Sequence, residues 1–284
     1  MNRQGASAHG SHHGSEALTW VVFDSFIITV LVVMAVGYAV ALRVSRGRGS
    51  WPVYRTTLWY LGVACLGVGL IGPIASAGHT SFTAHMFVHL LVGMVGPLLL
   101  VLAAPVTVAL RALPLTSARW LSRTLRSLPV RIITHPLSAV LLNAGGLWLL
   151  YTTDLYHAMH SSVPVHALVH LHLFLAGYVL TASLVGVDPA PHRASMRMRS
   201  AALILFIAAH QILAKWLYAH PPDVVGRADG ELGAQLMYYG GDVVDVSLIV
   251  LLFAGWYAAT RPRVTRAARW PAEHPQDRFG SPRR

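Results

Sequence analysis

Residues 79–105 read HTSFTAHMFVHLLVGMVGPLLLVLAAP. The stretch opens with three histidines and runs into an apolar segment long enough to cross a bilayer, which takes about 20 helical residues. His85 and His89 are four residues apart, so on a helix they lie one turn above the other on the same face. Met86 sits between them in sequence. Two imidazoles at that spacing, near one end of a membrane helix, are placed to ligate a metal ion.

The composition agrees with a membrane setting. The chain has 284 residues, 55% hydrophobic and 12% charged, with a mean hydropathy of +0.53. A soluble domain carries about 25% charged residues. Seven apolar runs approach or exceed spanning length: 20–42, 56–77, 84–110, 136–153, 165–186, 200–218 and 236–258. They are continuous rather than alternating, which predicts helices and not a β-barrel. The expected fold is an all-α polytopic membrane protein with seven transmembrane helices. A short tail, 1–19, precedes this membrane domain (20–258), and a basic tail, 259–284, follows it.

Basic residues set the expected orientation. Of 22 Lys and Arg, nineteen fall in 43–55, 111–131, 187–200 and 261–284, all on one side of a seven-span arrangement. The N-terminus is therefore expected outside and the C-terminus in the cytoplasm. The net charge of +11 reads as a topology signal that also suits anionic lipid. No basic patch is interleaved with aromatics, so nucleic acid is not an expected partner. The first run is too long, and lacks the basic n-region, for a cleaved signal peptide. Segment 111–135 is basic with interleaved Leu and Trp, which predicts an amphipathic helix on the inner surface. The single cysteine, Cys65, excludes an internal disulfide and a CxxC metal site.

The ionisable residues of the spans are unevenly placed. Asp24, His85, His89, His166, His170, His210, Lys215, Asp242 and Asp245 all fall within about 15 Å of the outer boundary at 1.5 Å per residue. The inner halves hold only Cys65. A proton pump or a channel needs polar groups across the full thickness, whereas this pattern fits a cup open to the outside. His166 and His170 repeat the i, i+4 spacing at the start of span five. The candidate metal ligands are His85, His89, His166, His170, His210 and Asp242, with Asp242 and Asp245 also able to pair with Lys215 or to orient a histidine. Met86, Met159 and Met237 serve either packing or soft ligation. Histidine with nearby methionine and no thiol favours copper, and zinc stays open. Histidines on different helices can also sandwich a haem b. A transporter is a third reading, but the apolar inner halves offer it no path. No nucleophile–base set and no phosphate loop is present, so an enzyme is not expected. His9, His12 and His13 suggest either a simple tail or a metal-collecting one.

His85-Met86-x-x-His89, Pro97-Leu98-Leu99-Leu100 and Ala104-Pro105 together resemble the multi-span CtaG-like assembly factors of bacterial cytochrome c oxidase. The likeness extends to His135-Pro136, Tyr156-His157, His166-x-x-x-His170 and Asp229-x-x-x-Gly233-x-x-x-Met237, across roughly residues 20–258. The resemblance implies a seven-helix membrane protein needed to form haem–copper oxidase, handling copper for an oxidase subunit or another cuproprotein. It carries the metal-ligand role to His85, His89, His166 and His170. Gly177-Tyr178 and Gly186-Val187-Asp188-Pro189 depart from the tryptophan- and proline-containing end expected for span five.

Overall fold

The computed structural model describes residues 6–222 and 225–261, with side chains from Leu18 onward. His9, His12 and His13 and the tail beyond Arg261 lie outside the described side chains. All regular structure among the described residues is helical. Seven helices make the bundle: α1 (Ala6–Ser45), α2 (Val53–Leu70), α3 (Phe82–Leu102), α4 (Pro136–Thr152), α5 (Val163–Val185), α6 (Met196–Ala219) and α7 (Arg227–Thr260).

Five of them, α1, α3, α5, α6 and α7, are long and apolar enough to cross a membrane, so the chain is a multi-pass membrane protein. Helix α4 is apolar but shorter. Helix α2 has 18 residues, about 27 Å at 1.5 Å per residue. Consecutive helices alternate in direction. The 71–81 and 153–162 connections meet at one end, here the histidine end, and Arg48 and Arg111 of the arginine-rich connections meet at the other.

Helix α3 is the centre. Of its apolar window 72% is buried, against 6% for α1. It packs against α2, α5 and α7, while α4 and α6 close the far side and α1 lies on α2. Small residues allow the close approaches. A Cβ on Gly177 of α5 would lie 2.0 Å from the Gly93 carbonyl oxygen, and one on Gly233 of α7 would lie 2.5 Å from the Phe82 ring.

Span three is interrupted twice along its length. Residues Leu90–Val95 make a π-helical turn directly after His89, and a second π turn, Leu141–Gly145, interrupts α4. Pro97 has no N–H, so the Gly93 carbonyl loses its ordinary i+4 donor, and the wider turn absorbs the mismatch. The helix ends at Leu102, short of the expected 110. Ala104 adopts a left-handed conformation (φ 53°), and Pro105 starts a separate helix, Pro105–Ala112. The Tyr38 hydroxyl donates to the Ala103 carbonyl (3.1 Å), which ties α1 to this break.

Two aspartates hold helix starts. At the histidine end, Asp229 of α7 accepts the backbone N–H groups of Phe82 (2.6 Å) and Thr83 (3.2 Å) and the Ser81 hydroxyl (3.0 Å). At the opposite end, Asp188 accepts the Val106 and Thr107 N–H groups (3.2 and 2.8 Å) and the Thr107 hydroxyl (2.6 Å). An anion at a helix N-terminus satisfies donors that have no partner within the helix and complements its dipole. Segment 111–135 forms two short helices, Leu115–Leu125 and Leu128–Ile133, rather than one. Leu115, Trp120, Leu128 and Ile132 on them are exposed.

Candidate functional site

Asp229 fixes where α3 begins, and so the height of His85 and His89 in the bundle. His85 is buried, with Nε2 3.0 Å from the Tyr151 hydroxyl of α4. The Tyr151 hydroxyl also lies 3.9 Å from the Met86 sulfur. Around His85 stand Tyr156 and His160, ring centres 5.2 and 6.0 Å away, both on the short helix Leu155–Ser161.

From His160 the imidazoles continue as a chain. His79, in the loop before α3, lies 6.0 Å from His160 and 4.9 Å from His166 of α5, and His166 lies 4.2 Å from His170. Trp20 of α1 covers this group, 4.9 Å from His79 and 5.3 Å from His166, with Phe23 5.8 Å from His166. A cavity of about 360 Å³ opens beside it, lined by His79, Ser81, Tyr156, His157 and His160 among others. Five imidazoles from three helices and a loop thus form one cluster at the mouth of the histidine end.

The hydrogen bonds set two tautomers. His160 Nδ1 lies 2.8 Å from the Tyr156 carbonyl and His170 Nδ1 lies 3.0 Å from the His166 carbonyl. A carbonyl only accepts, so both Nδ1 atoms carry the proton and both Nε2 atoms keep a lone pair free for a ligand. Burial, and after it the neighbouring His160, lowers the pKa of the loop residue His79, so His79 is neutral at pH 7. Burial, with the Asp229 charge second, raises the Tyr156 phenol, which stays protonated.

His89 belongs to a different group. One turn below His85, it faces His210 of α6, with ring centres 5.9 Å apart and planes inclined by 17°. The six candidate ligands therefore divide. His85, His166 and His170 are at the mouth, and His89 and His210 are deeper. Asp242 accepts from the Gln211 amide (2.7 Å) and makes no bond to a histidine among the described residues. Lys215 is exposed, its ammonium 5.3 Å from the Tyr238 ring. Arg227–Glu231 is the one salt bridge among the described residues, so the expected pairing of Lys215 with Asp242 or Asp245 is not made. Met86, Met159 and Met237 are fully buried in the apolar cluster at this end, with Phe82, Leu213 and Leu217.

Among the described residues, no three His, Cys, Asp or Glu side chains converge closely enough to hold a metal ion. The donors as they stand suit a two-coordinate ion, or a larger set gathered by ring rotation. Sequence reasoning did not place His79, His160, Trp20, Tyr151 and Tyr156 in the site. His79 lies in a loop and His160 on a helix of seven residues, too short for a period to mark a shared face. The signal available was the density of ring side chains in Tyr151–His160.

The chain matches the family model of the cytochrome c oxidase caa3 assembly factor over residues 36–259, and it belongs to that family. It is similar to uncharacterized proteins of Mycobacterium bovis and Mycobacterium tuberculosis, each 34% identical over 187 residues, 63% of this chain and 28% of the relative. An uncharacterized protein of Mycobacterium leprae is 27% identical over 256 residues, 82% of this chain and 39% of that protein. The chain therefore spans well under half the length of these relatives. No solved structure matches it.

Proposed function

Taking membership of the caa3 assembly-factor family as the premise, we propose that this protein receives copper at the mouth cluster and delivers it to an oxidase subunit or another cuproprotein. It does so from the bacterial cell membrane, with seven crossings, the histidine end outward and the C-terminus in the cytoplasm. Copper is cargo here. The reaction is ligand exchange, without covalent catalysis.

The observation that carries the reading is the concentration of imidazoles at one end of the bundle, two of them with Nδ1 on a backbone carbonyl and Nε2 left for a ligand. His166 and His170 offer nitrogen donors under Trp20 and Phe23, and His85 and His160 offer others across the cavity mouth. Imidazole suits copper. Neighbouring donors on separate segments permit stepwise exchange, in which one imidazole lets go as an incoming ligand from the partner binds. The arginine-rich connections favour the orientation by the positive-inside rule.

The test is His166→Ala/His170→Ala in cells that depend on a haem–copper oxidase. The variant is expected in the membrane at normal abundance, with oxidase activity and oxidase copper at least severalfold lower. Normal oxidase activity in that variant would sink the proposal. A Soret band on the purified protein would instead favour a haem b cytochrome.

A further inference from the structure

We infer that His89 and His210 form a second, buried site for a soft monovalent cation, Cu(I) or its surrogate Ag(I), one helical turn below the mouth cluster. The inference rests on the copper reading above and extends it to a site with its own selectivity.

His89 and His210 are 2% and 1% exposed, and none of their four ring nitrogens has a hydrogen-bond partner. A neutral imidazole carries one donor and one acceptor, and buried polar atoms are nearly always paired. Two adjacent histidines with every nitrogen unpaired therefore point to a ligand. The spacing fits one. Metal–nitrogen bonds of about 2.0–2.1 Å on either side of a shared ion put two imidazole centres about 6 Å apart. The observed separation is 5.9 Å, with the planes within 17° of parallel.

The surroundings keep the pair in place and limit what it can bind. Gly241 of α7 makes room for His210, since a Cβ there would lie 2.6 Å from the His210 Cε1. Phe206 packs 5.7 Å from His210 on the other side. Asp245 stands one turn along α7 from Gly241 on the same face. It is 2% exposed, and neither of its carboxyl oxygens has a partner. Zinc needs three or four protein ligands, and no such set converges among the described residues. Two nitrogens in an apolar enclosure suit a d10 ion content with two donors.

The test uses the full chain in detergent, titrated with Ag(I) and, under reducing conditions, with Cu(I). X-ray absorption reports the coordination. Wild type is expected to bind a tight equivalent with two nitrogen neighbours, which excess Zn²⁺ does not displace. That equivalent should persist in His166→Ala/His170→Ala. It should weaken at least tenfold in His89→Gln/His210→Gln and in Gly241→Ala, which keeps both rings but shifts one. Retention of the equivalent in His89→Gln/His210→Gln would overturn the inference. So would a spectrum of His166→Ala/His170→Ala dominated by sulfur or by more than two nitrogens, which decides the matter even if both deep variants fail to fold. The two proposals fail separately. Missing deep binding with impaired oxidase maturation in His166→Ala/His170→Ala removes only the second site. Normal maturation in that variant removes the delivery role, whatever the deep pair binds.

Discussion

Replacing Asp229 by alanine should unseat the start of α3, and with it the mouth cluster. The carboxylate accepts from the Phe82 N–H at 2.6 Å, the Thr83 N–H at 3.2 Å and the Ser81 hydroxyl at 3.0 Å. Hydrogen bonds to a charged group contribute about 1.5–3 kcal/mol each, which would sum to well over 4 kcal/mol. Asp229 is only partly buried, so water takes over some of the freed donors, and Ser81 still caps through its bond from the Ala84 N–H (3.3 Å). Loss of a cap costs about 0.5–2 kcal/mol and loss of a charge at the helix dipole about 0.3–1 kcal/mol. Adding the lost tie between α7 and α3, the expected cost is about 2–4 kcal/mol. Asp229→Asn, which keeps a neutral acceptor, should cost about half as much. Thermal unfolding in detergent reads the difference. At about 2–4 °C per kcal/mol for a chain of this size, alanine should lower Tm by about 5–15 °C. The same variant should bind Ag(I) more weakly at the mouth, since the height of His85 depends on the anchor. A Tm within about 2 °C of wild type would mean that Asp229 does not hold α3, and the reasoning would fail.

Gly177→Ala places a methyl 2.0 Å from the Gly93 carbonyl oxygen and 3.2 Å from Pro97 Cγ. Backbone cannot yield as a flexible side chain does, so α3 and α5 must part, at about 3 kcal/mol or more; a Tm unchanged from wild type would contradict the packing. Asp188→Ala removes the acceptor for the Val106 and Thr107 N–H groups at the opposite end. These two amides should exchange with deuterium about tenfold faster, the equivalent of about 1.4 kcal/mol, while exchange at Phe82 and Thr83 stays as in wild type.

The helical class and the end that carries the histidines were legible because both depend on local pattern. Continuous apolar runs leave only helices in lipid, and the depth of each polar residue follows from a fixed rise per residue. The boundary of α3 was not legible. A left-handed Ala104 is not announced by its residue type, and the effect of Pro97 appears upstream of it, as the π turn Leu90–Val95. The pattern Asp229-x-x-x-Gly233-x-x-x-Met237 was visible, but its meaning is tertiary. The three residues form an i+4 ridge that caps, clears and packs against the first turns of α3, about 147 residues away in sequence. Asp188, read as part of a departure from the family's span-five pattern, serves as the anchor for Pro105–Ala112. The split of His85 from His89 was likewise hidden. An i+4 spacing gives a shared face, but which helix meets that face at each turn depends on α4 for one histidine and on α6 for the other.

The distribution of acids bears on which ion the site suits. Asp229 is committed to the start of α3, and Asp242 is committed to Gln211. The mouth cluster is thus built from imidazoles and aromatic walls, with no carboxylate bonded to a histidine among the described residues. The cost of placing an ion in a low-dielectric enclosure rises with the square of its charge, and neutral donors do not offset it by charge attraction. A divalent ion would therefore meet about four times the solvation cost of a monovalent one on the same donors. On the copper reading proposed above, imidazoles without carboxylates would favour Cu(I) over Cu(II) at the mouth. Asp245 is buried one turn along α7 from Gly241, the residue that clears His210. A substitution that adds a carboxylate at the mouth, such as His160→Asp, should shift selectivity there toward divalent ions while leaving the deep pair monovalent. Competition between Ag(I) and Zn²⁺ measures that shift directly, and unchanged competition would show that charge compensation does not set the preference.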